Sequence, residues 1–300
     1  MRHFAVAGVQ MHVRHGQDNI PAMAARIDVL VARFPWVEMV VFSELAAFGA
    51  SHAHAQTLPG PAEEAFCGMA AKHGIWLIPG SIFEVVGDRV FNTASVIDPQ
   101  GTVVARYRKM FPFKPYEAGV ESGSEFTVFD VPDVGRFGLS ICYDMWFPET
   151  TRTLSCMGAE VIIHPSLTDT IARGVEMAIA RASAAVNQCY FFDVNGVGDG
   201  GLGRSIFVRP TGTVVYEAGD AEETIPVELN LDAARRARES GMFSLGQPLK
   251  SFRDRVVDFA IYRGEGPARA YLQSLGPLVV PGRGVGRETT PPVGPAGLTT

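Results

Sequence analysis

The chain has 300 residues, with 26 Lys and Arg against 32 Asp and Glu for a formal net charge of -6; 47% of residues are hydrophobic and 19% charged. This composition specifies a globular chain with enough apolar material for a substantial core and excludes a disordered one. An acidic chain without a dense Lys/Arg cluster is a poor match to nucleic acid, and no uncharged apolar stretch of about 18 residues is available to span a membrane.

Taken in order, residues 4–10 form an apolar run too short for a secretory signal core and read as a first buried strand. Residues 18–33 predict a helix, with Asp18 at its cap, Pro21 in the first turn, and Ile27, Leu30 and Val31 on one face. Residues 37–42 predict a second buried strand, and 62–73 a helix stopped by Gly74. A strand is expected over 75–83. A hairpin follows, with arms 92–97 and 102–107 about the turn Asp98-Pro-Gln-Gly101. Further strands are expected at 126–131 and in the apolar run that enters Cys142. A helix over about 172–187 then leads into a strand at 190–195. Arg235, Arg236 and Arg238 read as a solvated helix face.

The second half repeats the first. Ser95-Val-Ile-Asp-Pro-Gln-Gly-Thr-Val-Val104 aligns with Ser205-Ile-Phe-Val-Arg-Pro-Thr-Gly-Thr-Val-Val215 after one insertion, and Ala159-Glu-Val-Ile-Ile-His164 is similar to Val37-Glu-Met-Val-Val-Phe42. Two related halves, each a sheet with helices on its outer face, predict an α/β fold: a four-layer α-β-β-α sandwich. Residues 1–240 are expected to form this domain. Residues 241–300 are expected to be an extension, helical over 251–262 and 268–275, that ends in a mobile or oligomer-contacting Pro/Gly-rich tail.

The chemistry centres on Phe137-Gly-Leu-Ser-Ile-Cys142-Tyr-Asp-Met-Trp-Phe-Pro-Glu149. A cysteine where a strand opens into a loop or helix start meets unpaired backbone N–H groups, which can stabilise a thiolate and an oxyanion. Cys67, Cys156 and Cys189 lack such a setting and read as ordinary apolar thiols. Glu44 follows the strand Val40-Val41-Phe42-Ser43, where partial desolvation suits a general base. Lys109 sits in the basic run Arg106-Tyr-Arg-Lys109, with Glu117 beyond it. Nucleophile, base and cation are the parts needed for acyl transfer through a thioester.

Ser43-Glu44-Leu45, Tyr107-Arg-Lys109-Met and the block around Cys142 together resemble the three signature blocks of the nitrilase (carbon–nitrogen hydrolase) superfamily, in its amidase-like branch. The resemblance runs from the first strand to about Asp232. It implies the α-β-β-α sandwich, a Glu44-Lys109-Cys142 triad, and Glu117 as a second glutamate orienting Lys109 and the substrate amide. Ser43 stands where the family often has proline, and Trp146 where related amidases often have arginine. The implied reaction converts a small amide to a carboxylic acid and ammonia through a thioester on Cys142. The alternatives are an N-carbamoyl amide hydrolase, a nitrilase and a catalytically silent binding module.

Tyr143, Trp146, Phe113, His164 and Leu167 are expected to line the acyl pocket and to favour apolar or aromatic acyl groups. His12-x-x-His15 and His52-x-His54 have ligand-like spacings without a supporting cysteine or carboxylate set, so neither a metal nor another cofactor is expected. Gly196-Val-Gly-Asp-Gly-Gly-Leu-Gly203 lacks the lysine of a phosphate-binding loop. Four cysteines without tight pairing suggest reduced thiols in the cytoplasm. The expected partner is a small-molecule amide, with no nucleic acid or membrane; the resemblance implies a homodimer or higher homo-oligomer.

Overall fold

The computed structural model describes residues 3–264 and 266–280. Strands β1 (Phe4–Gln10), β2 (Met39–Phe42) and β3 (Trp76–Ile78) run parallel, joined by helices α1 (Ile20–Arg33) and α2 (Pro61–His73). Side chains alternate across a strand, so β1 sends Phe4 and Val6 into one apolar cluster and Ala7 and Val9 into another. Met23, Ile27 and Leu30 give α1 a helical stripe that covers the second cluster. Its cap is Asn19 rather than Asp18, whose Oδ1 accepts the Ile20 N–H at 2.9 Å.

The single strand expected over 75–83 is two, β3 and β4 (Ile82–Val86). Pro79, Gly80 and Ser81 separate them. Gly80 has φ +80°, and a Cβ there would lie 1.8 Å from the Ser43 carbonyl oxygen, so the chain turns tightly against the residue before Glu44. The hairpin is present as β5 (Arg89–Ile97) and β6 (Val103–Arg108).

The second half consists of β7 (Thr127–Val131), β8 (Gly135–Leu139), α3 (Pro148–Cys156), β9 (Val161–Ser166), α4 (Arg173–Asn187), β10 (Tyr190–Asn195), β11 (Ile206–Val208), β12 (Val214–Glu217), β13 (Glu223–Leu229) and α5 (Asp232–Ser240). Strands β8, β9 and β10 are parallel with helical crossovers, and β11–β12 is an antiparallel hairpin, the order already met in β1-β2-β3 and β5–β6. The first sheet runs β13-β1-β2-β3-β5-β4 with β6 on β5, and the second β12-β11-β10-β9-β8-β7. Because β13 returns to pair with β1, the end of the second half completes the sheet of the first.

The inner faces of the two sheets share one core, in which Phe4 meets Phe137 edge to face at 5.6 Å and Trp76 stacks on Phe129 at 6.0 Å. Helices α1 and α2 cover the outer face of the first sheet. Helices α3 and α4 cover the second through Leu154, Met177, Ala180 and Ala184. The result is the four-layer α-β-β-α sandwich, in which each fully buried large aliphatic or aromatic side chain contributes roughly 1.5–3 kcal/mol.

Beyond Gly241, α6 (Pro248–Arg253) and α7 (Gly266–Ser274) are short. The helix expected over 251–262 is not continuous: α6 ends at Arg253, and only one 3-10 turn, Ala260–Arg263, follows. Its intervening Val256 is 99% exposed, so this segment has no buried face to support a helix. The Pro/Gly-rich tail from Pro291 lies outside the described residues.

Candidate active site

Strand β8 ends at Leu139, three residues short of the expected entry into Cys142, which instead opens the 3-10 turn Cys142–Trp146. Cys142 has φ +46°, a left-handed conformation that costs a non-glycine residue on the order of 1–3 kcal/mol and persists only when its surroundings impose it. Two buried side chains do so. Asp144 Oδ2 accepts the Ile141 N–H at 2.8 Å and the Tyr107 hydroxyl at 2.6 Å, while Oδ1 accepts the Phe111 N–H at 2.9 Å. On the other side, His164 Nε2 lies 3.1 Å from the Cys142 carbonyl oxygen and Nδ1 2.7 Å from Ser140 Oγ. A carbonyl only accepts, so Nε2 donates and Nδ1 accepts from Ser140. Burial pushes the His164 imidazole down to about 3, which keeps it neutral in this tautomer. The expected place of His164 in the pocket lining is therefore corrected: the ring is fully buried, and both nitrogens are committed to the turn beneath the nucleophile.

Glu44 follows β2, and its N–H reaches across the sandwich to the Ser166 carbonyl at 3.2 Å. Lys109 follows β6. On that strand Arg106 and Arg108 face outward and fork onto Glu63 and Glu84, while Tyr107 and Lys109 face the core, as the period-2 geometry requires. The Lys109 ammonium, 1% exposed, donates to Glu44 Oε1 at 2.8 Å and to Glu117 Oε2 at 2.7 Å. Asn92, on β5, donates to the same two carboxylates at 2.8 and 3.2 Å, and the Phe113 N–H donates to Glu117.

Burial raises the Glu44 carboxyl above its ordinary range; Lys109 opposes this, and the like charge of Glu117 adds to it. For Lys109, burial alone would lower the ammonium, but Glu44, Cys142 and Glu117 together hold it above its usual value. Burial, and next the charge of Glu44, push the Cys142 thiol well up, with Lys109 offsetting only part. The thiolate-stabilising setting expected for Cys142 is thus corrected: burial and the charge of Glu44 work against the thiolate, and the sulfur lies 3.6 Å from the Leu167 carbonyl oxygen and 4.0 Å from Thr168 Oγ1. Cys189 is also buried and pushed up, to about 11, but it sits beside Ser155 behind the second sheet.

Around the sulfur the rim is aromatic. Phe113 lies 4.8 Å from the Tyr143 ring, and Tyr143 lies 6.2 Å from Trp146 between ring centroids. Phe113 and Trp146 are partly exposed, and Leu167 contributes its carbonyl beside the sulfur. Trp146 Nε1 donates to Glu176 at 3.3 Å. Asp144, Tyr107, Asn92, Ser140 and Glu176 were not singled out as site residues from the sequence. Asp144 lies two residues after the nucleophile and Tyr107 two before Lys109 on the same strand face, and that spacing was the available signal. His52 and His54 stack on Phe83 and Phe48, at 4.2 and 4.6 Å.

The sequence model of the carbon-nitrogen hydrolase family matches residues 5–239. The omega-amidase NIT2 of Homo sapiens is 29% identical over 201 residues, covering 62% of this chain and 72% of that protein. An (R)-stereoselective amidase of Pseudomonas sp is 37% identical over 160 residues, 52% of this chain and 58% of that protein. Among solved structures, Saccharomyces cerevisiae Nit3, a member of branch 10 of the nitrilase superfamily, superimposes with a TM-score of 0.72 at 27% identity, covering 79% of this chain and 94% of that one. A cysteine mutant of the amidase from Nesterenkonia AN1 gives 0.68 at 25% identity, with 79% and 94% covered.

Proposed function

The chain belongs to the carbon–nitrogen hydrolase family, and from that premise we propose that Cys142, Glu44, Lys109 and Glu117 are its catalytic set, acting on small amides whose acyl groups are apolar or aromatic. The protein is a cysteine-dependent hydrolase of the amidase type. The observation that carries the assignment of roles is a buried ammonium bonded to two carboxylates, one of which, Glu44, bears directly on the Cys142 thiol.

As the sulfur attacks the amide carbon, its proton passes to Glu44, and the carbonyl π electrons move to oxygen. The oxyanion is met by the Lys109 ammonium and the Tyr143 N–H. Glu44 then protonates the amide nitrogen, the C–N bond breaks, and ammonia leaves a thioester on Cys142. Glu44 next takes a proton from water, which attacks the thioester; the acid departs and the proton returns to sulfur. Glu117 and Asn92 hold Lys109 and Glu44 in register throughout. Phe113, Tyr143, Trp146 and Leu167 supply the wall for the acyl group.

Residues 1–240 form the hydrolase unit in this reading. Residues 241–300 form an extension that favours self-association, supported by its exposed Phe243, Leu245, Tyr262 and Tyr271. A nucleophilic thiol that must stay reduced, together with three further free cysteines, favours a cytoplasmic setting. Ammonia release from a panel of aliphatic and aromatic amides tests the function. Turnover by the wild type and none by Cys142→Ala is expected; equal turnover by the two would reject the assignment.

A further inference from the structure

Behind the aromatic rim stands a second buried charge cluster that the reaction above does not use. Glu176 accepts Trp146 Nε1–H through Oε1, and its Oε2 lies 3.2 Å from Arg173 Nη1. The same Arg173 nitrogen is 2.7 Å from Asp193 Oδ2, and Nη2 donates to the Arg204 carbonyl at 2.7 Å. Arg173, Glu176 and Asp193 are 1%, 5% and 0% exposed. One guanidinium therefore serves two carboxylates, just as the Lys109 ammonium serves Glu44 and Glu117.

Two of the three Lys109 donors go to Glu44 and Glu117 and the third serves the oxyanion, both terminal nitrogens of Arg173 are engaged, and each cation is outnumbered two to one by carboxylates. The Trp146 indole, exposed toward the rim, has its one donor turned away to Glu176. Glu176 is also close enough to Cys142 to be among the charges that bear most on its thiol. Lys114, beside Phe113, is an exposed and solvated charge whose field water and salt screen. A carboxylate carried into this pocket on an acyl chain would lose its water, find no donor cation beyond the one that holds the oxyanion, and face like charge. An ammonium in the same place would meet a field of the opposite sign.

We propose that the Glu176–Arg173–Asp193 cluster behind Trp146 makes this site select amides by acyl charge, accepting uncharged and amine-bearing acyl groups and rejecting carboxylate-bearing ones. The inference rests on the amidase reading above and extends its acyl class from apolar and aromatic groups to amine-bearing ones. Hexanamide, 6-aminohexanamide and adipamate, the monoamide of adipic acid, have the same chain length and differ in the charge of the far end. Ammonia release at neutral pH and low salt is expected to give kcat/KM for hexanamide and 6-aminohexanamide at least about 100-fold above adipamate, because juxtaposed like charges in a desolvated site are strongly disfavoured. Normalised to hexanamide, Glu176→Gln and, independently, Trp146→Arg are each expected to raise relative activity on adipamate by about 10-fold. Adipamate turned over as well as hexanamide by the wild type overturns the inference and leaves the amidase reading standing. Turnover of none of the three, nor of butyramide or benzamide, overturns both.

Discussion

Strand β6 carries two sets of carboxylate–cation pairs, one on each face, and they behave in opposite ways. Outside, Glu63 and Glu84 are buried to within a few per cent, yet both carboxyls are held below the ordinary range. Burial works to raise them, but each receives a two-pronged guanidinium fork from Arg106 or Arg108 and a hydroxyl from Ser95 or Thr93. Inside, the Glu44 carboxyl is raised, first by burial between the sheets and then by the charge of Glu117, while the single ammonium it shares with Glu117 offsets only part of the rise. Burial alone does not make a base. What counts is how many donors the protein withholds: the outer pairs are fully met and act as structural ties, whereas the inner one is left with affinity for a proton.

The largest break in this symmetry is expected from Lys109→Met. It strands the buried Glu44 and the half-buried Glu117, so it is expected to cost about 3–5 kcal/mol of stability, read by denaturant unfolding. With the oxyanion cation also lost, kcat should fall by about 10³-fold or more in an ammonia assay. Glu44→Gln should lower kcat similarly, by about 10²–10⁴-fold, since it removes the proton carrier of both half-reactions. In the wild type, kcat/KM should fall as pH drops through an acid limb lying above 4.5, the ordinary value from which Glu44 is raised, and residual Glu44→Gln activity should lack that limb.

Asp144→Asn comes next. An amide offers one oxygen where the carboxylate uses two, so either Phe111 or the Tyr107–Ile141 pair must face an NH2 group. The Cys142 turn should loosen, with kcat down by about 10–100-fold, KM little changed and slower alkylation of Cys142 by iodoacetamide. Arg108→Met should do the reverse, leaving kcat within about 3-fold while lowering stability by about 1–3 kcal/mol, as its exposed guanidinium is partly replaced by water at the stranded Glu84.

The smallest effect concerns acid stability. Glu63 and Glu84 are depressed, so their contribution is complete above 4.5 and is lost as pH falls below it through their folded values. Glu44 is raised, so its contribution has the opposite sign: present below 4.5 and lost as pH rises through its folded value. An Arg106→Met/Arg108→Met variant should therefore show a flatter fall in unfolding free energy below pH 4.5 than the wild type.

The architecture was readable because continuous apolar strands, helix stops such as Gly74 and the internal Ser95/Ser205 similarity are local signals. The breaks were not: Pro79-Gly80-Ser81 could have been a bend within one strand, and what forces two strands is the Ser43 carbonyl, 37 positions earlier. The positions of Glu44, Lys109 and Cys142 at element ends were legible, but their electrostatics were not. The raised thiol depends on burial and on the nearness of Glu44, both set by the packing of two sheets. His164 misled for the same reason, since a strand-end histidine reads as a lining residue until both its nitrogens are seen to be taken.

Acid quench during turnover of hexanamide, followed by peptide mass mapping, interrogates the sulfur itself. Acylation through a thioester predicts a hexanoyl mass increase confined to the peptide bearing Cys142, discharged by hydroxylamine and missing from Cys142→Ala. Ammonia formed at an undiminished rate by Cys142→Ala, with no acylated peptide at any quench time in the wild type, would contradict the account.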